Sequence, residues 1–142
     1  MAIYQEVFTT DRRPLLTGVV FGVPHTNRVT QNYTALLDTG TYHTIVGQGI
    51  IDDLGLSEVK PDEVIENFGG VHGGGNVNVY KNIIIILPKN NRYIIDVHCS
   101  GQYYRKGKNP APFSLAIGME VLSKGIFCID GIHNEYTFTL PD

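Results

Sequence analysis

Residues 35–41 have the sequence Ala-Leu-Leu-Asp-Thr-Gly-Thr, in which three apolar residues lead into an acid, a hydroxyl and a glycine. The apolar run predicts a buried strand over residues 33–37. Asp38, Thr39 and Gly40 then predict a tight turn, because glycine supplies backbone freedom and short polar side chains bond nearby backbone groups. A carboxylate at the buried end of a strand is costly unless it is hydrogen-bonded or takes part in chemistry. Asp38 is therefore the first catalytic candidate.

Two further segments stand out in the second half of the chain. Residues 115–122 have the sequence Leu-Ala-Ile-Gly-Met-Glu-Val-Leu, which predicts a strand ending at Ile117 and a short helix from Met119 to Lys124. Residues 68–75 contain five glycines and lie before a predicted strand over residues 76–87, so they are expected at the tip of a hairpin.

Taken together, the Asp-Thr-Gly turn, the glycine-rich segment and the late apolar-apolar-Gly motif resemble, in kind and in order, those of the aspartic proteases. The chain has a single Asp-Thr-Gly and 142 residues, which resembles the half-sized retroviral-type (retropepsin-like) members that act as homodimers. The resemblance covers about residues 15–140. Met119 and Glu120 stand where retroviral enzymes have a basic residue after the glycine, so the chain looks closer to cellular and bacterial members.

The resemblance implies an all-β, closed, barrel-like acid-protease (retropepsin) fold with one or two short helices. It implies one domain over residues 1–142 and an active site at the two-fold axis of a homodimer. In that family the terminal strands interleave across the dimer, so residues 4–8 and 136–140 are expected in such a sheet. Frayed termini are the alternative.

The same resemblance assigns the candidate site residues. Asp38 and its symmetry mate would share one proton, Thr39 would lock the two loops near the axis, and Gly40 would let the backbone pass close to the pair. Thr41 would direct its hydroxyl at the outer carboxylate oxygen. A glycine-rich flap would close over bound peptide, with an ordinary flexible hairpin loop as the alternative. The residues expected to contact substrate are Thr41 and, in the flap, Gly69, Gly70, Val71 and Gly73.

The amino-acid composition narrows the possible classes of protein and of binding partner. The chain is 42% hydrophobic and 18% charged, which is typical of a globular domain, and its short β-branched and aromatic runs predict nine or ten strands. A net charge of −3 gives no basic surface for nucleic acid. No apolar run is long enough to cross a membrane and the N-terminus does not resemble a signal peptide, so we expect a cytoplasmic protein with Cys99 and Cys128 reduced. The five histidines show no ligand spacing, so neither a metal nor a cofactor is expected.

The function predicted from the sequence is an aspartic endopeptidase that cleaves a peptide or protein substrate. Two copies of Asp38 would activate water by general acid–base catalysis. Two alternatives remain open at this stage. One is a catalytically silent dimeric module of the same fold that binds extended peptide by strand addition. The other is an unrelated monomeric β-barrel that binds a small ligand, in which the Asp-Thr-Gly triplet is coincidental.

Overall fold

The computed structural model describes residues 1–66, 76–100 and 113–142. These residues form ten strands and two short helices. In chain order the elements are β1 (Ala2–Val7), β2 (Leu15–Gly22), β3 (Tyr33–Leu37), β4 (Thr44–Val46), α1 (Gln48–Asp53), β5 (Glu63–Ile65), β6 (Val77–Ile86), β7 (Arg92–Cys99), β8 (Leu115–Ile117), α2 (Met119–Leu122), β9 (Ile126–Asp130) and β10 (Glu135–Leu140).

Six of the strands close into a barrel. The larger sheet has the order β2-β3-β8-β4-β7-β6-β5, and β2 also pairs with β6, so the first six strands of that order form a ring and β5 extends it. The pairs β3–β8 and β4–β7 are parallel and the other neighbours are antiparallel. A barrel leaves no long unpaired edge for aggregation. The prediction of an all-β, barrel-like fold with two short helices is confirmed.

A second sheet of three antiparallel strands, in the order β1-β10-β9, packs against the barrel. Tyr136 and Phe138 of β10 are fully buried and belong to the same core cluster as Phe21 and Ile85 of the barrel. The Tyr136 hydroxyl donates a hydrogen bond of 2.6 Å to the Leu15 carbonyl oxygen at the start of β2. One continuous apolar core therefore joins the two sheets.

The terminal strands are ordered, but their pairing differs from the interleaved arrangement that the resemblance implies. β1 and β10 pair with each other within one chain, from Ala2 opposite Leu140 to Val7 opposite Glu135. β10 also pairs with β9, so both of its edges are occupied. A partner strand cannot join β10 unless one of these neighbours leaves.

Most strand limits agree with the sequence expectations, and the differences have a local cause. β4 begins only at Thr44, because the carbonyl oxygens of Thr41 and Tyr42 accept hydrogen bonds from the first N–H groups of α2. α2 ends at Leu122, two residues before the predicted limit. The predicted flap tip falls outside the described residues.

Candidate active site

The parallel pairing of β3 with β8 positions Asp38. Leu37 lies opposite Ile117 at the end of both strands, and the Asp38 N–H donates a hydrogen bond of 2.9 Å to the Ile117 carbonyl oxygen. The ladder thus continues one residue beyond β3. The Leu37 N–H donates to the Pro14 carbonyl oxygen at 3.0 Å, which fixes the other side of the strand end. Asp38 is half-buried at the point where the strand leaves the barrel.

The turn after Asp38 is held by its own carboxylate. The Gly40 N–H donates a hydrogen bond of 2.8 Å to Asp38 Oδ1. A Cβ atom on residue 40 would lie only 3.0 Å from that same oxygen, so glycine permits this close approach. Aspartate bonding the backbone two residues ahead is the interaction expected of an Asx turn. The orientation of the Asp38 side chain is therefore set within the Asp-Thr-Gly turn itself.

Thr39 and Thr41 flank this turn in different surroundings. Thr39 is exposed, and Thr41 is half-buried. The Thr41 hydroxyl donates a hydrogen bond of 3.1 Å to the His43 carbonyl oxygen. In the single chain this donor is therefore directed at the backbone after the turn, and not at the Asp38 carboxylate for which the resemblance implied it.

The late motif lies directly against the segment that follows the turn. The N–H groups of Met119 and Glu120 donate to the carbonyl oxygens of Thr41 and Tyr42, each at 2.8 Å. A Cβ atom on Gly118 would lie 2.4 Å from the Tyr42 carbonyl oxygen, a distance no real Cβ tolerates. Two motifs about 80 residues apart in sequence thus form one rigid unit around Asp38.

A histidine pair that was not predicted from the sequence lies beside this unit. His43 and His98 stack with ring centroids 4.1 Å apart and planes inclined by 16°. Nδ1 of His43 lies 3.3 Å from Oε2 of Glu120 on α2. The contact arises because parallel β4 and β7 place Ile45 opposite His98. Such a pairing across more than fifty residues leaves no periodic signal in the sequence.

Burial of His98 changes its acid–base behaviour. The side chain is buried, and this loss of hydration, followed by the proximity of His43, lowers its pKa from 6.5 to about 4. Asp96 and Glu63 act in the opposite direction and raise the pKa. His98 is therefore neutral over the pH range in which an exposed histidine becomes charged.

Of the other predicted site residues, Gly69, Gly70, Val71 and Gly73 lie outside the described residues. The strands on either side of them, β5 and β6, pair antiparallel from Glu63 opposite Val79 to Ile65 opposite Val77. Within the described ranges no three histidine, cysteine or carboxylate side chains converge so as to hold a metal ion. No helix there is long and apolar enough to span a membrane.

No family model matches this chain, and no curated protein matches it in sequence. Its structure is similar to the crystal structure of a retropepsin-like aspartic protease from Rickettsia conorii, with a TM-score of 0.67. The similarity covers 98% of this chain and 91% of that chain, at 13% sequence identity. The chain therefore has the retropepsin-like aspartic protease fold. At this identity the likeness defines the fold alone.

Proposed function

We propose that this chain is an aspartic endopeptidase whose active site forms from two copies of Asp38. The observation that carries the proposal is the position of Asp38. It follows β3 in a turn fixed by Gly40, and the Gly118–Glu120 segment packs against the residues that follow. The likeness to a retropepsin-like aspartic protease supports a hydrolase of this kind.

Two carboxylates are needed because peptide hydrolysis requires both a base and an acid. Like charges in close contact cannot both ionise, so one proton is shared by the pair. The ionised Asp38 takes a proton from water, and the protonated Asp38 of the second copy donates to the carbonyl oxygen of the peptide. The water oxygen then attacks the carbonyl carbon, and a proton passes to the leaving nitrogen.

The chain has a single Asp-Thr-Gly. The second carboxylate is therefore Asp38 of a second copy, in a homodimer. An isologous two-fold axis brings the same residue of each copy face to face. In this proposal Thr39 joins the two turns near the axis. Thr41 lies at the edge of the cleft, and residues Gly69, Gly70, Val71 and Gly73 close over an extended peptide or protein substrate. Closure would exclude water from the carboxylates.

The proposed setting is the cytoplasm. Cys99 and Cys128 are both free thiols, Cys99 buried and Cys128 exposed. An exposed free thiol is best tolerated where the surroundings are reducing. Fractionation of cells that express the chain tests this placement, and recovery from an oxidising compartment would contradict it.

The function is tested with Asp38→Asn, which keeps the size and the hydrogen-bond acceptor of the side chain. We expect cleavage of a peptide library to vanish across pH 3–8 while the circular dichroism spectrum is unchanged. Asp52→Asn is the matched control, because Asp52 is an exposed carboxylate on α1 that accepts a hydrogen bond from Gln48. Full activity in folded Asp38→Asn would refute the proposal.

The same samples distinguish the endopeptidase from a catalytically silent binding module. A wild-type chain that binds a peptide-mimic inhibitor but cleaves no library member at any pH would be a peptide-binding module of the same fold. Binding by strand addition would then be unaffected by Asp38→Asn. Loss of cleavage together with retained inhibitor binding in the variant would instead support the endopeptidase.

A further inference from the structure

A cleft of about 810 Å³ lies where the β6–β7 turn meets the segment between α2 and β9. Its volume is typical of small-molecule sites, which measure about 300–1,000 Å³. Three basic side chains line this basic cleft: Lys89 from the β6–β7 turn, Arg92 at the start of β7, and Lys124 from the segment after α2. They are three of the 11 lysine and arginine residues of a chain whose net charge is −3. Positive charge is therefore concentrated here in a chain that is negative overall.

The three basic side chains are not neutralised by acidic residues. Within the described residues no ion pair involves Lys89, Arg92 or Lys124. Among the described residues that line the basic cleft, Asp142 is the only one with a carboxylate side chain, and the Met1 amino group binds it. Lys89, Arg92 and Lys124 are all exposed. Their charges are therefore accessible to an anion from solution.

Neighbouring groups orient the three basic side chains. The Lys89 ammonium donates one hydrogen bond to a carbonyl oxygen of β1, and Lys124 Nζ lies 5.4 Å from the centre of the Tyr93 ring. Arg92 Nε donates a hydrogen bond of 3.1 Å to Asn90 Oδ1. An ammonium group has three N–H donors and a guanidinium group has five. Most of these donors are therefore left for a ligand.

Two asparagines add further donors to the basic cleft. Asn90 Oδ1 accepts the hydrogen bond from Arg92, and Asn91 Oδ1 accepts one of 2.7 Å from the Tyr4 hydroxyl. Because both amide oxygens are bonded within the protein, the two amide NH₂ groups are left as donors. Ammonium, guanidinium and amide donors in one cleft are suited to a ligand with several negatively charged oxygen atoms.

We infer that the basic cleft binds a small polyanion that contains a chain of phosphate groups. A guanidinium group bonds two oxygens of one phosphate, and each ammonium group neutralises a further phosphate as a point charge. A monovalent anion would leave two of the three positive charges unmatched. The inference is independent of the proposed function, because Asp38, Thr39 and Gly40 are not among the residues that line the basic cleft.

The inference is tested by isothermal titration calorimetry of the whole chain with tripolyphosphate in metal-free buffer. We expect saturable binding of one tripolyphosphate per chain at low salt. Because the basic groups are exposed, the Kd should rise at least about 10-fold when the salt concentration reaches about 0.5 M. Wild-type protein that shows no saturable binding at low salt would refute the inference.

The position of the site is tested with Arg92→Gln combined with Lys124→Gln, which should raise the Kd at least about 10-fold. Lys60→Gln combined with Lys81→Gln is the matched control. It removes the same charge from two exposed residues that are not among those lining the basic cleft, and it should bind as wild type does. Circular dichroism checks the fold of both variants. Equal weakening in the two variants would refute the inference, because binding would then depend on net charge alone.

The chemical class of the ligand is tested with citrate. Its three carboxylates carry less negative charge than tripolyphosphate, so citrate should bind at least about 10-fold more weakly. Equal affinity for the two anions would overturn the assignment to phosphate. Inorganic polyphosphate and nucleoside triphosphates both supply a phosphate chain, and adenosine triphosphate distinguishes them. Affinity equal to that of tripolyphosphate identifies the phosphate chain alone as the ligand, and affinity at least about 10-fold higher identifies a nucleotide.

Asp38→Asn separates this inference from the proposed function. We expect the variant to bind tripolyphosphate as wild type does, whether or not it has lost peptide cleavage. Loss of tripolyphosphate binding in folded Asp38→Asn would contradict a basic cleft that is separate from the candidate active site. Wild-type protein that binds tripolyphosphate and cleaves no peptide would keep the basic cleft and refute the endopeptidase.

Discussion

At the residue scale, Gly118 makes the tightest contact between the two motifs of the candidate site. A Cβ atom there would lie 2.4 Å from the Tyr42 carbonyl oxygen and 2.6 Å from that of His43. Both neighbours are backbone atoms and cannot rotate away, so we expect Gly118→Ala to lower the free energy of unfolding by about 2–3 kcal/mol. Urea denaturation measures this change.

The control for this prediction is Gly131→Ala, in the β9–β10 turn. No heavy atom lies within 4 Å of a Cβ built on Gly131, so the substitution should change stability by less than about 0.5 kcal/mol. Equal stability of the two variants would contradict the close packing of Gly118 against the Tyr42 and His43 carbonyl oxygens.

The lowered pKa of His98 predicts how the stability of the fold depends on pH. Its pKa is about 4 in the folded protein against 6.5 for an ordinary histidine, so between these values the unfolded chain binds more protons. The contribution of His98 to the free energy of unfolding is therefore fully present above about pH 6.5 and is lost as the pH drops to about 4, a loss on the order of 3 kcal/mol. We expect His98→Phe, which keeps a ring against His43, to reduce this acid loss in urea titrations at pH 4–7.

The pKa of His133 is shifted in the opposite direction from the pKa of His98. Its pKa is raised by the hydrogen bond and charge of Asp130, so its interaction is present at low pH and is lost as the pH rises. His133→Gln should therefore leave the acid-side loss of stability in place. If His98→Phe loses as much stability on acidification as wild type does, the histidine stack is not its source.

Individual residues were predictable from the sequence where a local rule fixes them. Asp38 and Gly40 were predicted because residues that are neighbours in sequence determine both the apolar strand and the Asp-Thr-Gly turn after it. The Gly40–Asp38 hydrogen bond likewise joins residues close in sequence. His43, His98 and Glu120 were missed, because their contact depends on which strands are neighbours. The partner of the Thr41 hydroxyl, which is the carbonyl oxygen of nearby His43 and not the Asp38 carboxylate, was also missed.

At the element scale, Tyr136 links the small sheet to the barrel. Its ring is fully buried, and its hydroxyl bonds the Leu15 carbonyl oxygen at 2.6 Å. Burial raises the pKa of the hydroxyl, which therefore stays a neutral donor. We expect Tyr136→Phe to remove about 1 kcal/mol of stability, since it deletes one buried hydrogen bond and leaves the ring in place.

Thermal or urea unfolding measures the effect of Tyr136→Phe, and Tyr42→Phe is its control. Tyr42 is 62% exposed, so removal of its hydroxyl should have little effect on stability. If Tyr136→Phe is as stable as wild type, the hydroxyl does not help to hold the two sheets together, and the attachment rests on apolar contacts alone.

The extents of strands and helices could be predicted from the sequence, but the pairing of strands could not. The limits of β3 and the end of β8 at Ile117 agree with the sequence pattern, because turn residues follow these apolar runs. The parallel pairs β3–β8 and β4–β7, which build the site, join segments far apart in the chain. A strand's own pattern does not indicate its neighbour, so these two pairs were not predicted.

At the scale of the whole molecule, the pairing of the chain ends changes the expected form of the dimer. β1, β10 and β9 form a sheet within one chain, so a homodimer does not need to exchange terminal strands. Tyr136 and Phe138 of β10 are buried in the core of their own chain.

The most direct test of the shared active site is a subunit-mixing assay with wild type and Asp38→Asn. Equal amounts are combined, allowed to exchange subunits, and assayed for peptide cleavage against the same total amount of wild type. If both carboxylates are needed, only dimers of two wild-type chains cleave, and about one quarter of the activity remains. If each chain acts alone, about one half remains, and that result would contradict a dyad formed by two copies of Asp38.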